Sequence, residues 1–177
     1  MTIRSFEGKT PRIGRGSYIH PTADVFGDVE IGEDCWVGPG ARIRGDYGTI
    51  RIGISTAVED NCVIHARPGE RTSIGNWVTL GHGSIVHNAT LHDWATLGMG
   101  GIVSDWAEVG EWAVVAEGAV VRQRTEIAAR AIAVGVPARV IDKRVDDAYI
   151  EEWTRFKAIY VDLARRYPEG LSPPLDA

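Results

Sequence analysis

The residues of this sequence best suited to acid–base or metal chemistry are its histidines: His20, His65, His82, His87 and His92. A neutral imidazole is both a general base near neutral pH and the most common metal ligand in proteins. Three imidazoles that converge would leave a tetrahedral ion with one further position for water or substrate. Whether any of the five converge depends on the elements that carry them.

Those elements follow from an aliphatic residue that recurs every six positions, with two insertions and one deletion. The series is Ile13, Ile19, Val25, Ile31, Val37, Ile43, Ile52, Val58, Ile64, Ile74, Leu80, Val86, Leu91, Leu97, Val103, Val109, Val115 and Val121. Small side chains usually stand four residues after these aliphatics, as at Ala41, Cys62 and Ala95. A spacing of six fits neither a helix nor a simple strand. It predicts short strands joined by corners, three to a coil, with coils stacked about 4.8 Å apart and about six coils in all.

This arithmetic places three of the candidate residues in one column. His65 and His87 each follow the third-edge aliphatic of consecutive coils, and Arg44 occupies the same position one coil earlier. The two imidazoles therefore face outward about 5 Å apart and could chelate one ion. His82 stands two residues after a second-edge aliphatic and points from another corner. A second chain is its natural route to the ion, and a threefold assembly would close that arrangement.

Four short segments then carry a family resemblance. In order, the segments Arg44–Asp46, Glu59–His65, Gly81–Gly83 and Val86–His87 resemble the motif set of γ-class carbonic anhydrases. The wider pattern, from about Ile13 to Ile141, is similar to the left-handed β-helix of hexapeptide-repeat proteins. The resemblance, and not the spacing, implies left-handedness. We therefore expect an all-β solenoid, a left-handed parallel β-helix over residues 1–141, followed by a C-terminal α-helix.

The resemblance also implies a site and an activity. His65, His82 and His87 would bind Zn²⁺, or else Fe²⁺ or Co²⁺, at the subunit interfaces of a homotrimer. Arg44 and Asp46 would form an intersubunit ion pair beside the metal. The expected reaction is the hydration of CO₂ to bicarbonate by a metal-bound hydroxide, whose formation near neutral pH the ion promotes. His20 and His92 are expected to be ordinary surface or core residues.

Two departures from the family pattern concern proton transfer. Glu59 stands where the family often has glutamine. Its carboxylate could orient metal-bound water, accept a proton from it, or pair with a nearby arginine. The segment between the first two ligands, residues 66–73, is short and contains Glu70 as its only acid. A proton shuttle on this loop is therefore not evident.

Two other functions remain open from the sequence. Many hexapeptide β-helices are acyltransferases that use one histidine as a general base, and a related subgroup of the metal-bearing family is linked to hydrolysis of acyl-CoA thioesters. A non-catalytic assembly subunit is the other alternative. Such subunits often lose ligands, whereas this chain keeps all three histidines.

The C-terminal region predicts one helix within residues 142–170 and a loose tail at 171–177. Its apolar stripe is Tyr149, Trp153, Phe156, Tyr160, Leu163 and Tyr167, at three- and four-residue spacing. Pro168 and Gly170 are expected to end the helix. Trp77, Trp94 and Trp112 recur at one position of consecutive coils and predict a tryptophan ladder. Its role is either to stack an aromatic ligand or, as we favour, to pack against the helix.

The charge and composition of the chain argue against several classes of partner. The net charge of −5 argues against a nucleic-acid partner or an anionic membrane surface. Residues 1–12 have no apolar core of a signal peptide, and no apolar run reaches the roughly 18 residues of a membrane span. Cys35 and Cys62 fall on different edges and are expected to be packed thiols. A cytoplasmic enzyme acting on a small molecule is the expectation from these features.

Overall fold

The computed structural model describes residues 2–172 and shows a left-handed parallel β-helix followed, in that range, by one α-helix. Residues 173–177 of the predicted tail lie outside the described residues. The strands are β1 (Thr2–Arg4), β2 (Arg12–Ile13), β3 (Tyr18–Ile19), β4 (Asp24–Ile31), β5 (Trp36–Val37), β6 (Arg42–Ile52), β7 (Ala57–Val58), β8 (Val63–His65), β9 (Arg71–Ile74), β10 (Thr79–Leu80), β11 (Ile85–His87), β12 (Thr90–Leu91), β13 (Thr96–Leu97), β14 (Ile102–Val103), β15 (Glu108–Val109), β16 (Val114–Val115), β17 (Val120–Val121), β18 (Glu126–Ile127), β19 (Ala131–Val134) and β20 (Arg139–Arg144). The helix α1 spans Asp147–Gly170.

The strands form three faces of a triangular prism. One face, the helix face, is the eight-stranded sheet in the order β20-β19-β16-β13-β10-β7-β5-β3. The other two faces are joined into one twelve-stranded sheet because β4 and β6 are long enough to turn a corner. We call the side that contains β8, β11, β14 and β17 the histidine face. There are about seven coils rather than six, since the six-residue period continues through Ile127 and Ala133.

The two predicted inward registers form the core. The large aliphatics Val58, Leu80 and Leu97 are completely buried, and so are the small residues Cys62 and Ala95 beside them. On the histidine face the residue beside the large aliphatic faces out, as Val63 does next to Ile64. On the helix face the corresponding residues, such as Ala57 and Thr79, are buried as well. Both cysteines are buried free thiols, as predicted, and burial raises the pKa of each.

Glycines allow neighbouring coils to approach at one corner. A Cβ atom added to Gly14 would lie 2.4 Å from the backbone of Gly32, and one added to Gly32 would lie 2.7 Å from the backbone of Gly53. The backbone ladder passes through the same corner, where the Gly14 and Gly32 amides donate to Ile31 and Ile52 over 2.8 Å. Any side chain at these positions would separate the coils and lengthen those hydrogen bonds.

The helix lies along the helix face. Asp146 caps it by accepting a hydrogen bond from the Tyr149 amide at 2.8 Å, which satisfies one of the free N–H groups of the first turn. The helix begins at Asp147, inside the predicted range, after β20 ends at Arg144, and it continues through Pro168 to Gly170. Tyr160, Leu163, Ala164 and Tyr167 pack against Tyr18 and Trp36. Within residues 2–172, no helix is long and apolar enough to cross a membrane.

The apolar stripe predicted for the helix accounts for only some of the residues that pack against the prism. Tyr160 and Tyr167 face the prism, whereas Phe156 is 48% exposed on the outer side. Lys157, at the centre of the helix, is completely buried. The spacing of apolar residues did not predict this, because lysine is not part of an apolar pattern. Its ammonium group donates to the carbonyl oxygen of Val78 at 2.8 Å and to the hydroxyl of Thr79 at 3.0 Å.

The tryptophan ladder forms as predicted. The rings of Trp77 and Trp94 stack with centroids 5.0 Å apart and planes 4° apart, and Trp94 and Trp112 stack at 4.5 Å and 7°. All three residues have positive φ angles, which bulky side chains rarely adopt. Stacking of the three rings offsets part of that backbone strain. Packing of this ladder against the helix stays a prediction.

Candidate active site

Two histidines of the site lie side by side on the histidine face. The register pairs Arg44 with His65 and His65 with His87 across neighbouring coils, which is the column that the repeat predicts. The two ring centroids are 5.2 Å apart. The Nδ1 atom of His65 lies 3.2 Å from the Nε2 atom of His87. The two imidazoles therefore present one nitrogen each to a common point.

Each of these rings has a carboxylate behind it. The Nε2 atom of His65 lies 2.9 Å from Oδ1 of Asp46, and the Nδ1 atom of His87 lies 2.7 Å from Oδ1 of Asp105. Since an ionised carboxylate can only accept, we assign a proton to each of these outer nitrogens. The inner nitrogens are then left with lone pairs. A carboxylate that orients an imidazole in this way also increases the basicity of its free nitrogen.

Arginines support both carboxylates. Arg44 donates to Asp46 at 2.9 Å, and Arg67 binds Asp105 through two parallel hydrogen bonds of 2.9 and 3.0 Å. Burial of Asp46 acts to raise its pKa, but the hydrogen bond from His65 and the charge of Arg44 bring the pKa below its ordinary value. The hydrogen bonds from Arg67 lower the pKa of Asp105, which burial alone would raise.

The pairing of Arg44 with Asp46 between subunits, which the resemblance implies, stays a prediction. Within one chain the two residues already form an ion pair. The reason is the alternation of a strand. Residues 44 and 46 are two positions apart on β6, so their side chains leave the same side of the sheet and meet there.

His82 lies at a separate place in the same chain. Its ring Nε2 is 3.0 Å from Oε2 of Glu59, its backbone amide donates to the same oxygen at 3.2 Å, and its Nδ1 is 3.5 Å from Asp60. The Glu59 side chain is only 6% exposed, while that of His82 is 50% exposed. The second oxygen of Glu59 accepts a hydrogen bond from the Tyr160 hydroxyl. Glu59 therefore pairs with a histidine and a tyrosine rather than with an arginine.

The inner nitrogens of His65 and His87 fit part of a metal site. Two ligands at Zn–N distances of about 2.0–2.1 Å and a tetrahedral angle stand about 3.3 Å apart. The observed 3.2 Å matches that spacing. A third ligand is not close by, since within residues 2–172 of one chain no group of three or more His, Cys, Asp or Glu side chains could hold an ion. His82 as a third ligand would have to come from another copy, and that stays a prediction.

The remaining histidines differ from these three. His20 pairs through Nδ1 with the hydroxyl of Thr22 at 2.9 Å, and His92 lies 3.8 Å from the exposed Glu108. Neither has a buried carboxylate behind its ring. Their surroundings are those of ordinary surface histidines.

Asp105, Arg67 and Lys157 were not predicted to be functional residues from the sequence. Tyr160 was predicted only as a packing residue of the helix. A signal existed for Asp105, which stands one coil after His87 and one position further along the repeat. An acid at that position can reach the ring of the coil before it. No comparable signal existed for Lys157 or Tyr160, because their partners lie 78 to 101 residues away in sequence.

Comparison with known proteins identifies the family. The chain is 34% identical to the carnitine operon protein CaiE of Salmonella agona over 97% of this chain and 86% of that protein, and 32% identical to CaiE of Escherichia coli over 94% and 84%. The chain belongs to the CaiE family of hexapeptide-repeat proteins. This confirms the hexapeptide-repeat, left-handed β-helix family that the wider six-residue pattern resembles. No family model matches the sequence.

Solved structures of similar proteins agree with the hexapeptide-repeat β-helix. A Bacillus cereus protein named as a candidate acetyltransferase superposes with a TM-score of 0.91 at 31% identity, covering 94% of this chain and 96% of that one. A hexapeptide transferase family protein from Anaplasma phagocytophilum gives 0.86 at 30% identity, with 94% and 98% covered. Both of those proteins carry the names of group-transfer enzymes.

These findings correct the expected activity. CO₂ hydration at a three-histidine zinc site was wrong as the main interpretation, because the similar proteins are CaiE proteins and acetyltransferases. The geometry agrees with the correction. Only two of the three histidines come together in one chain, and His82 is held by Glu59 instead. The comparisons favour the acyl-transfer alternative.

Proposed function

We propose that this protein is an acyltransferase that takes an acyl group from a coenzyme A thioester, with His82 as its general base. The observation that carries the proposal is the contact between His82 and Glu59. The ring Nε2 lies 3.0 Å from a carboxylate that is almost fully buried, while half of the His82 side chain remains open to solvent. A base that is oriented from behind and accessible in front is the arrangement that general-base catalysis needs.

The chemistry follows from the tautomer. Because Oε2 of Glu59 lies 3.0 Å from Nε2 of His82 and a carboxylate can only accept, we assign the ring proton to Nε2. The lone pair is then on Nδ1, which lies 3.5 Å from Asp60. That atom accepts the proton of an acceptor hydroxyl or amine as the acceptor attacks the thioester carbonyl. The new C–O or C–N bond forms, the C–S bond breaks, and the coenzyme A thiolate leaves with the proton returned by His82. Glu59 stabilises the imidazolium ion that exists between the two proton transfers.

The relatives suggest where to look for an acceptor. Their name refers to a carnitine operon, and carnitine has one hydroxyl group that could receive an acyl group. We therefore choose acetyl-CoA as the donor probe and L-carnitine as the first acceptor probe. Water as the acceptor would give thioester hydrolysis, the other form of this alternative.

The test measures coenzyme A thiol release from acetyl-CoA, with and without L-carnitine, and identifies the products by mass spectrometry. His82→Asn should lower the turnover number about 10²- to 10⁴-fold, the usual contribution of a positioned base. His92→Asn is the matched control, since His92 is equally exposed beside an exposed glutamate. Acetylated carnitine supports transfer, and free acetate alone would mean hydrolysis. No thioester consumption by the wild type, or an unchanged rate in His82→Asn, contradicts the proposal.

We also propose a metal ion and an oligomeric state for this protein. Zinc is the ion we propose for the facing nitrogens of His65 and His87, with Fe²⁺ or Co²⁺ as substitutes of similar coordination. Such an ion would supply a Lewis acid that polarises a carbonyl group. A homotrimer is the assembly we propose, because an extra ligand or substrate group for the histidine face would have to come from another copy.

A further inference from the structure

The C-terminal helix reaches the candidate base through a buried carboxylate. The hydroxyl of Tyr160 donates a hydrogen bond to Oε1 of Glu59, 101 residues earlier in the chain. The other oxygen of Glu59, Oε2, accepts a hydrogen bond from the backbone amide of His82 at 3.2 Å and lies 3.0 Å from Nε2 of the His82 ring. Tyr160, Glu59 and His82, from three separate segments of the chain, are therefore connected through the Glu59 carboxylate.

This connection determines the orientation of the Glu59 carboxylate. A carboxylate anchored by one oxygen can rotate about its terminal torsion, which has broad minima. Tyr160 holds the second oxygen, so the plane of the carboxylate is set from both sides. Because Oε2 then has a fixed position beside Nε2 of His82, the His82 ring has one preferred plane. A charge-assisted hydrogen bond from a hydroxyl is well suited to this task.

The helix itself is anchored at the same level. The buried ammonium group of Lys157 donates to Val78 and Thr79 on the helix face, one turn before Tyr160. The Tyr160 ring packs against Trp36 with centroids 6.0 Å apart. Burial and the neighbouring Glu59 charge raise the pKa of Tyr160 well above its ordinary value, so its hydroxyl stays a donor.

We propose that Tyr160 is a positioning residue for His82 and acts on it through Glu59. This inference rests on the proposed function for its catalytic consequence, but its structural part stands separately. The substitution that tests it is Tyr160→Phe, which keeps the ring against Trp36 and removes only the hydroxyl. Tyr167→Phe is the matched control, because Tyr167 lies on the same helix and meets Tyr18 and Trp36 through its ring.

The structural readout uses the full-length protein labelled with ¹⁵N at its histidines, with the His82 signals identified by their loss in His82→Asn. The Nε2–H proton of His82 should give a slowly exchanging signal in the wild type, since Nε2 lies 3.0 Å from a buried carboxylate. Tyr160→Phe should broaden or remove that signal, and Tyr167→Phe should keep it. An unchanged signal in Tyr160→Phe overturns the inference, whether or not the protein transfers acyl groups.

The kinetic readout follows acetyl-CoA consumption. Tyr160→Phe should lower kcat about 10- to 100-fold, as for other residues that orient a catalytic group, and leave KM close to its wild-type value. The double variant Tyr160→Phe with Glu59→Gln should lose no more than Glu59→Gln alone, because both changes interrupt one chain. Additive losses would mean that Tyr160 acts by another route. Loss of the His82 signal without any wild-type turnover would support the positioning and contradict only the proposed function.

Discussion

The Nδ1 atom of His65 lies 3.2 Å from the Nε2 atom of His87, and each ring has a carboxylate on its far side. With the outer nitrogens donating to Asp46 and Asp105, both inner atoms present lone pairs. Two lone pairs at this distance repel each other unless a cation lies between them. The pair is therefore suited to hold one metal ion or one shared proton, and the surrounding acids would stabilise either.

Metal content distinguishes the roles of the histidines. We expect the wild-type protein, loaded with zinc and dialysed, to retain it, and His87→Ala to lose most of it, since one imidazole alone chelates weakly. His92→Ala should retain the wild-type amount. Elemental analysis by mass spectrometry gives the zinc-to-protein ratio.

The same measurement on His82→Ala decides between two roles that exclude each other. Retained zinc leaves His82 free to act as a base, as we propose. Lost zinc would mean that His82 of a neighbouring copy is a ligand, as the sequence resemblance implies. Equal zinc in all variants would show that none of these histidines holds the ion.

Assembly is the second prediction. Light scattering coupled to size-exclusion chromatography should give three times the mass of the 19.3 kDa chain. The physical reason is that, among residues 2–172 of one chain, the two inner nitrogens of the histidine face have no third metal-binding side chain beside them. A monomer at micromolar concentration would contradict the trimer.

Lys157 should make stability depend on pH. Burial lowers its pKa from 10.5 to about 7 in the folded protein. Between pH 7 and 10.5 the unfolded chain therefore binds more protons at this residue than the folded chain, so its contribution to stability rises with pH in that window and is lost as pH falls toward 7.

The measurement is the free energy of unfolding in urea at pH 7.0 and 8.5, for the wild type and for Lys157→Met. Because Cys35 and Cys62 also have shifted pKa values, only the difference between the two proteins reports on Lys157. The wild type should gain more stability than the variant over this range. Identical changes would mean that Lys157 titrates normally in the folded protein.

Consecutive residues of β8 test the two registers of the repeat. Ile64 is completely buried, whereas Val63 beside it is 39% exposed. Ile64→Ala should lower the free energy of unfolding by about 2–5 kcal/mol, because it removes buried apolar surface and leaves a cavity. Val63→Ala should change it by about 0.5 kcal/mol or less in a protein of unchanged assembly. Similar losses in both variants would contradict the assignment of inside and outside.

Most of the solenoid could be read from the sequence because its interactions repeat. Each coil packs on the next, so a period of six residues states which side chains face inward and which residues of successive coils are neighbours. Val58 and Leu80 are buried, and His65 and His87 are adjacent, for this one reason. The number of coils was underestimated where the aliphatic series weakens, since Ala133 completes a further coil with a smaller side chain.

The direction of the site's side chains and the position of the helix were decided only by the tertiary structure. The apolar stripe of the helix predicts that one side is buried, but not which face of the prism it covers, and it passes over Lys157. The contacts of Tyr160 with Glu59 and of Glu59 with His82 join residues that no period relates. A sequence repeat specifies which residues are neighbours along the stack of coils. The face against which the helix packs is determined by the shape, charge and hydrogen-bonding groups of that whole face.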